Sequence, residues 1–191
     1  MLNLVLFGPP GAGKGTQATL LVDQFQLIHL STGDIFRANI KGETELGLLA
    51  KKYIDKGDLV PDEVTINMLN AEVENHADAK GFIFDGFPRT TAQAEALDKF
   101  LSSKDTGISL MLALEVEEEE LKSRLLERGK TSGRSDDQKP DIIANRIKEY
   151  EAKTAPLKSY YGEQNKFIGI DGMGSIEEIT DRLVFAINSI D

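Results

Sequence analysis

The residues with the clearest chemistry stand near the start of the chain, in the stretch GPPGAGKGT at positions 8–16. This stretch follows the apolar run Leu2–Phe7 and leads into Thr16–Phe25, which has helical spacing. Glycines let backbone N–H groups point inward, a helix N-terminus adds its positive dipole end, and Lys14 brings a mobile positive charge. These features predict a loop that binds the phosphates of a nucleoside triphosphate. The alternative is a glycine-rich turn between a strand and a helix, with a surface lysine.

A second group of polar residues follows the apolar run Leu27–Leu30. Ser31 can cap a following helix with Asp34 at its third position, and Arg37 comes three residues later. A capped helix with an exposed arginine explains these residues as well. On their own they therefore leave the function open.

A third motif begins with the apolar run Phe82–Phe84 and continues as Asp85-Gly86-Phe87-Pro88-Arg89, with Gln93 four residues later. A carboxylate at the end of such a strand is where a phosphate-loop protein holds Mg²⁺, directly or through waters. The Gly and Pro predict a tight turn, from which Arg89 would reach a phosphate. A strand, an Asp-Gly turn and a helix start without any ligand form the alternative.

Composition limits the partners. The 191 residues, 40% of them hydrophobic, suit one globular domain. A net charge of −10 argues against nucleic acid or an anionic membrane, because such surfaces need clustered basic side chains. There is no cysteine for a disulfide or a thiolate metal site, and no apolar run approaches the ~18 residues of a membrane span. We expect a cytoplasmic protein that binds neither nucleic acid nor membranes.

The elements that must position these motifs alternate along the chain. Short apolar runs that suit buried parallel strands lie at Leu2–Phe7, Leu27–Leu30, Phe82–Phe84, Ile108–Leu114 and Phe167–Ile170. Helical spacing occurs at Thr16–Phe25, Asp62–Asn75, Thr90–Leu101, Glu117–Glu127, Asp141–Tyr160 and Ser175–Ile190. This order predicts an α/β, three-layer P-loop fold with a parallel five-stranded sheet. Residues 31–60 are interpreted as a helical insertion and 129–139 as a polar loop.

The phosphate loop departs from the general pattern G-x-x-x-x-G-K-[ST], because Gly15 stands before Thr16. This variant and the motif D-G-F-P-R-x-x-x-Q resemble those of the adenylate kinases and their nucleoside monophosphate kinase relatives. The resemblance covers essentially all 191 residues. It implies a phosphotransferase that moves the terminal phosphoryl group of Mg-ATP reversibly to AMP, giving two ADP. It further implies one domain, with a core of 1–30, 61–126 and 138–191, an AMP-binding insertion 31–60 and a short lid 127–137.

The resemblance also implies which residues contact each ligand. ATP would contact Gly11, Ala12, Gly13, Lys14, Gly15, Thr16, Arg128 and Gly174. AMP would contact Thr32, Gly33, Arg37, Asp58, Leu59, Val60, Gly86, Phe87, Pro88, Arg89, Gln93, Arg134 and Arg146. Catalysis would depend on Lys14, Arg89, Arg124, Arg128, Arg134, Arg146, Asp136 and Asp137. Asp85 would hold Mg²⁺ through water.

The arginines support this assignment independently. Six of the seven fall on positions where that family binds phosphate, although the chain has fifteen lysines to serve as ordinary surface cations. The planar guanidinium suits two-point contact with phosphate. The seventh, Arg182, is interpreted as a surface residue. Arg124 and Arg128 are four apart and would share a helical face toward the cleft, with i,i+4 pairing to Glu120 as the alternative.

The predicted lid is short, since only Gly129–Gly133 separates Arg128 from Arg134. Long-lid relatives carry a β-rich insertion there, often with metal-binding cysteines. With no cysteine, and with His29 and His76 as the only histidines, we expect Mg²⁺ with ATP but no zinc. Both histidines are interpreted as structural.

Two other functions compete with this interpretation. UMP/CMP kinases are similar but typically have Ala where Thr32 stands and Asn where Gln93 stands, so both residues favour adenine. A non-catalytic nucleotide-sensing module would not need the intact Lys14 or the six arginines. We expect a monomer whose ligands are ATP, AMP and ADP.

Overall fold

The computed structural model describes residues 1–190, apart from the side chain of Ser135. The strands are β1 (Leu2–Phe7), β2 (Ile28–Ser31), β3 (Gly81–Asp85), β4 (Leu110–Glu115) and β5 (Phe167–Asp171). The helices are α1 (Lys14–Phe25), α2 (Thr32–Lys41), α3 (Glu45–Ile54), α4 (Asp62–Asn75), α5 (Thr91–Ser102), α6 (Glu118–Thr131), α7 (Pro140–Glu149), α8 (Leu157–Gly162) and α9 (Ile176–Asn188). No helix in this part of the chain has the length and apolar composition needed to cross a bilayer.

The five strands form one parallel sheet in the order β2-β3-β1-β4-β5, which confirms the predicted α/β class. In the register of the sheet, Leu6 of β1 and Ser31 of β2 both lie opposite Asp85 of β3. The carboxyl ends of these three strands therefore meet at one edge. The motif residues that follow each strand are brought together there, as expected for a site of this fold class.

Helices cover both faces of the sheet, so the central strands are apolar on both sides. Leu4 and Leu6 of β1 face one hydrophobic cluster, which includes Leu183 of α9. Val5 and Phe7 face the other, which is built with residues of α4, α5 and α8 such as Leu69, Leu97 and Tyr161. Two packed layers of helices thus hold the sheet edge rigid beneath the site.

The chain leaves the sheet after Ser31 and forms α2 and α3, so the segment predicted as a helical insertion is helical, although its first residue belongs to β2. The backbone N–H of Asp34 donates to the Ser31 hydroxyl (3.3 Å), so Ser31 caps α2 as expected from its sequence. Phe36, Ala50 and Val60 make a small core of their own for this segment. At Gly47 a Cβ would overlap the Asn39 backbone, so the close approach of α2 and α3 requires glycine.

The structure corrects two predicted boundaries. The single helix expected over 141–160 is α7, a π turn at Tyr150–Thr154 and α8. Here the Ala155 N–H reaches the Tyr150 carbonyl five residues back (2.8 Å), and Pro156 has no N–H to donate. The polar loop expected over 129–139 begins as the last turn of α6 and ends as a 3₁₀ turn, Ser135–Asp137.

Candidate active site

The phosphate loop joins β1 to α1 in the conformation that its glycines predict. Gly13 caps α1 with φ +94°, a left-handed conformation that favours glycine. The Lys14 ammonium donates to the carbonyls of Gly8 (2.7 Å) and Pro9 (3.1 Å), so the side chain folds back over the loop. Burial lowers the pKa of Lys14 to about 8, although the nearby Asp85 carboxylate opposes that shift. A cation held with so little compensating charge is suited to an anionic ligand.

Asp85 ends β3 against this loop, close to the backbone of Gly15. Burial opposes its ionisation, but a hydrogen bond from His29 (3.3 Å) and the charge of Lys14 outweigh that effect and keep the pKa of Asp85 below its ordinary value. The described residues contain no group of three or more His, Asp or Glu side chains that could hold a metal by themselves. One ionised carboxylate beside a phosphate loop fits Mg²⁺, which keeps most of its waters and takes further ligands from phosphates.

One cavity lies between the phosphate loop, the insertion and α7. With the exception of Arg134, every residue predicted to contact AMP lines it: Thr32, Gly33, Arg37, Asp58, Leu59, Val60, Gly86, Phe87, Pro88, Arg89, Gln93 and Arg146. Lys14 and Asp136 line the same cavity. We call it the first cavity. Motifs that are up to 132 positions apart in sequence, from Lys14 to Arg146, are therefore neighbours in space.

Arg89 is held rigidly in the first cavity. Its Nε donates to the Gly86 carbonyl (2.7 Å), while its own carbonyl accepts from the hydroxyl of the buried Thr154 (2.8 Å). Burial lowers the pKa of Arg89 to about 10, and the positive charge of Arg146 adds to the effect. With Arg37 and Arg146, three guanidinium groups and the Lys14 ammonium line one cavity, an arrangement that suits a multiply charged phosphate.

The two carboxylates of the predicted lid organise two arginines. Asp137 is fully buried and accepts from Arg128 through both oxygens, at 2.6 and 3.0 Å. Arg146 bridges Asp137 and Asp136, and its distance to the Asp136 carboxylate is 2.9 Å. Burial would raise the pKa of Asp137, but hydrogen bonds and charges from both arginines lower it overall. The two carboxylates therefore fix the positions of Arg128 and Arg146, and a catalytic role for Asp136 and Asp137 stays a prediction.

A second cavity lies on the other side of the phosphate loop. It is lined by Ala12, Gly13, Thr16, Gln17, Arg124, Gly174, Ile176 and Ile179, so several residues predicted to contact ATP face it together. Arg124 bonds to Glu120 (2.7 Å) and to the Gly172 carbonyl (3.3 Å), whereas Arg128 bonds to Asp137. The structure thus separates Arg124 from Arg128, and the i,i+4 pair with Glu120 is present. A phosphate-binding role for Arg124 stays a prediction.

The structure adds residues that sequence reasoning missed. Asp62 accepts a hydrogen bond from the Gln93 amide, and Thr154 donates one to the Arg89 carbonyl. Asn145 of α7 donates to the Asp58 carboxylate (2.9 Å) and so fixes the loop before Val60. These are long-range contacts, and no local pattern in the sequence marks them.

The sequence predicts a surface position for Arg182, and its side chain is 38% exposed. It nevertheless donates to the carbonyls of Asp171 (2.8 Å) and Met173 (2.7 Å). These bonds brace the turn that carries Gly174 into the second cavity. Arg182 therefore supports the site although it stands outside every motif.

Comparison with known proteins agrees with this geometry. The family model described as Adenylate kinase matches residues 6–166. The adenylate kinase of Flavobacterium psychrophilum is 62% identical to this chain over 190 residues, and the alignment covers 100% of both proteins. Those of Flavobacterium johnsoniae and Parabacteroides distasonis are 57% and 54% identical, again over 100% of both chains. Because the family model spans most of the sequence and these relatives match it from end to end, the chain belongs to the adenylate kinase family.

Proposed function

We propose that this protein transfers the terminal phosphoryl group of Mg-ATP to AMP, reversibly, to give two ADP. The observation that carries the proposal is the first cavity, where Lys14, Arg89 and Arg146 meet beside a phosphate loop. With Arg37, four cations line this cavity, and they need a partner with several negative charges. Two adjacent phosphate groups, one on each nucleotide, would supply them.

The two cavities suggest where each nucleotide binds. AMP would occupy the first cavity, with its phosphate at Arg37 and Arg89 and its base toward Gln93. ATP would occupy the second cavity, with its base near Gly174 and its phosphates along the loop. The Lys14 side chain, which lines the first cavity from the loop, would then lie where the two sets of phosphates approach each other.

The chemistry needs no covalent intermediate and no general base. Catalysis of phosphoryl transfer rests on positioning and on stabilising the charge that spreads over the transferred oxygens. Arg128, Arg134 and Arg146 would supply that charge, oriented by Asp136 and Asp137. Mg²⁺ bound with ATP would neutralise phosphate charge, and Asp85 would hold it through water.

Closure over the substrates is part of the proposal. We divide the chain into the core, the AMP-binding insertion 31–60 and the short lid 127–137, as predicted. Movement of the insertion and the lid toward the core would exclude water, which would otherwise accept the phosphoryl group. A cytoplasmic location and a monomeric state also belong to the proposal, and light scattering on a size-exclusion column tests the latter.

A coupled assay for ADP with AMP, CMP, UMP and GMP as acceptors tests the activity. We expect AMP to be preferred, with two ADP formed for each ATP consumed, and activity only when Mg²⁺ is present. Preference for UMP or CMP would favour the pyrimidine kinase alternative. Binding of ATP without transfer to any acceptor would favour a sensing module.

Substitution of Lys14 tests whether the cavity is the catalytic site. Lys14→Ala should slow transfer at least ~10²-fold, the scale of losing one contact to transition-state charge. Lys122→Ala is the matched control, since Lys122 is exposed on α6 and pairs with Glu118. Equal turnover in both variants, with intact circular dichroism spectra, would remove Lys14 from the reaction.

A further inference from the structure

Gln93 is held at both ends of its side-chain amide. Its Nε2 donates to one carboxylate oxygen of Asp62 (2.7 Å), and its Oε1 accepts from the backbone N–H of Arg89 (2.8 Å). Gln93 is 1% exposed and lines the first cavity. The side chain therefore meets any ligand in this cavity from a fixed position.

The two partners also decide which end of the amide is which. A carboxylate only accepts hydrogen bonds, so the atom facing Asp62 must be the NH₂ group. A backbone N–H only donates, so the atom facing Arg89 must be the carbonyl oxygen. A flipped amide would place oxygen against oxygen at Asp62 and donor against donor at Arg89. The network thus excludes the flipped orientation.

Thr90 holds Asp62 in turn. Its hydroxyl donates to the second carboxylate oxygen of Asp62 (3.0 Å) and accepts from the backbone N–H of Gln93 (3.2 Å). Both carboxylate oxygens of Asp62, which belongs to α4, thus accept hydrogen bonds from the start of α5: one from Gln93 and one from Thr90, the residue just before that helix. This chain of bonds ties the start of one helix to the start of the next, next to the cavity.

We infer that Asp62 is a specificity-determining residue, because it sets the orientation of the Gln93 amide. That orientation fixes the order of the hydrogen-bond donor and acceptor that Gln93 presents, and this order selects the base of the monophosphate. The inference rests on the proposed function, since it concerns the AMP site. After the bonds to Asp62 and Arg89, Gln93 retains one N–H and one lone pair of the carbonyl oxygen. These two remaining positions, in a fixed order, are available to a base.

The fixed order distinguishes bases that have the same shape. Adenine offers an acceptor at N1 and a donor at N6, which one orientation of the amide satisfies. Hypoxanthine offers a donor at N1 and an acceptor at O6, so it would need the flipped amide. Uracil has the same order as hypoxanthine, whereas cytosine has the order of adenine. Rejection of IMP and UMP would therefore depend on Asp62, and rejection of CMP on the smaller ring.

The test compares AMP with IMP as acceptors, because their purines are nearly identical in size. Asp62→Leu removes the acceptor at similar volume, and Asp62→Asn keeps one oxygen that can face Gln93. Glu63→Leu is the control, since Glu63 is exposed in the same first turn of α4 and its loss has the same effect on the helix dipole. Specificity constants are measured for both acceptors in each variant and in the unsubstituted protein.

We expect Asp62→Leu to lower the ratio of kcat/KM for AMP over IMP by about tenfold, the weight of one hydrogen bond to a charged group. The loss should be partial, because the Arg89 N–H still favours the original amide orientation. Asp62→Asn and Glu63→Leu should keep the ratio within about threefold, below the weight of such a bond.

Equal losses for AMP and IMP in Asp62→Leu would overturn the inference and make Asp62 a purely structural link between α4 and α5. Asp62→Ala replaces Asp62→Leu if the leucine variant does not melt cooperatively. Failure of both to fold would likewise assign Asp62 to stability alone. Absence of transfer to AMP in the unsubstituted protein would instead refute the proposed function, so the two failures are distinguishable.

Discussion

Arg134 lies 3.5 Å from the Asp34 carboxylate, and this contact joins the predicted lid to the start of α2 in the insertion. Asp34 also binds Arg37 at 2.5 Å, so it holds two of the arginines assigned to phosphate. The Asp34 side chain is 60% exposed, and ion pairs at such sites contribute little free energy. A phosphate group can therefore displace Asp34 from both arginines at small cost.

The first prediction follows from this weak pair. Arg134→Ala should lower kcat at least ~10²-fold, because arginine contacts to a transferring phosphoryl group carry large rate factors. The melting temperature should change little, since the lost ion pair contributes only about 0–1 kcal/mol. Lys130→Ala, which removes an exposed lid cation paired with Glu127, should leave kcat unchanged. A large fall in melting temperature with normal turnover would mean that Arg134 stabilises the fold and does not contact the transferring phosphoryl group.

The second prediction concerns Arg89. It faces the first cavity with a pKa lowered to about 10 by burial, so its charge lacks a full partner in the protein. Arg89→Ala should raise the KM for AMP and lower kcat together, because a phosphate contact acts in the ground state and in the transition state. Steady-state kinetics with each nucleotide varied in turn will show this. A change confined to the KM for ATP would place Arg89 on the other substrate.

The third prediction is the pH dependence of stability at Asp137. Its pKa in the folded protein lies below the ordinary 3.8, because Arg128 and Arg146 bind the carboxylate. Its stabilising contribution is therefore fully present above about pH 4, and it is lost as the pH falls through the folded pKa. Asp137→Asn should lower the free energy of unfolding at pH 7 by about 3 kcal/mol, as expected for breaking a buried pair.

Thermal melts between pH 2.5 and 7 test this prediction. The gap in melting temperature between the two proteins should be constant above about pH 4 and should narrow below it. Asp78→Asn, which changes an exposed carboxylate after α4, should show no comparable gap. A gap that stays constant down to pH 2.5 would mean that the variant acts through packing and not through charge.

The fourth prediction concerns a glycine whose importance appears only in three dimensions. A Cβ on Gly129, in the last turn of α6, would overlap the Asp137 carbonyl. Gly129→Ala should therefore displace the 3₁₀ turn, loosen the bonds of Asp137 to Arg128 and Arg146, and lower both the melting temperature and kcat. Gly162→Ala at the end of α8 meets no atom within 4 Å and serves as the control. Equal melting temperatures for the two variants would contradict the close approach.

The motifs of this site were predictable because each is local. The phosphate loop needs glycines, a lysine and a helix start within nine consecutive residues, 8–16, and its neighbours in sequence are its neighbours in space. The positions of Asp85 and Ser31 could also be predicted from the sequence, since the ends of parallel strands meet at one edge of a sheet. The sequence therefore determined the fold class and the five strands, and its resemblance to a known family indicated many of the residues that line the first cavity.

The partners of those residues were decided by the tertiary structure. The orientation of the Gln93 amide depends on Asp62, which lies 31 positions away, and the Arg89 carbonyl depends on Thr154, 65 positions away. Arg124 and Arg128 share a helix but bind different elements, because Arg124 donates to the Gly172 carbonyl in the turn after β5, whereas Arg128 binds Asp137 in the 3₁₀ turn. A sequence pattern records which groups can form hydrogen bonds, whereas packing between distant elements decides which of them meet and at what angle.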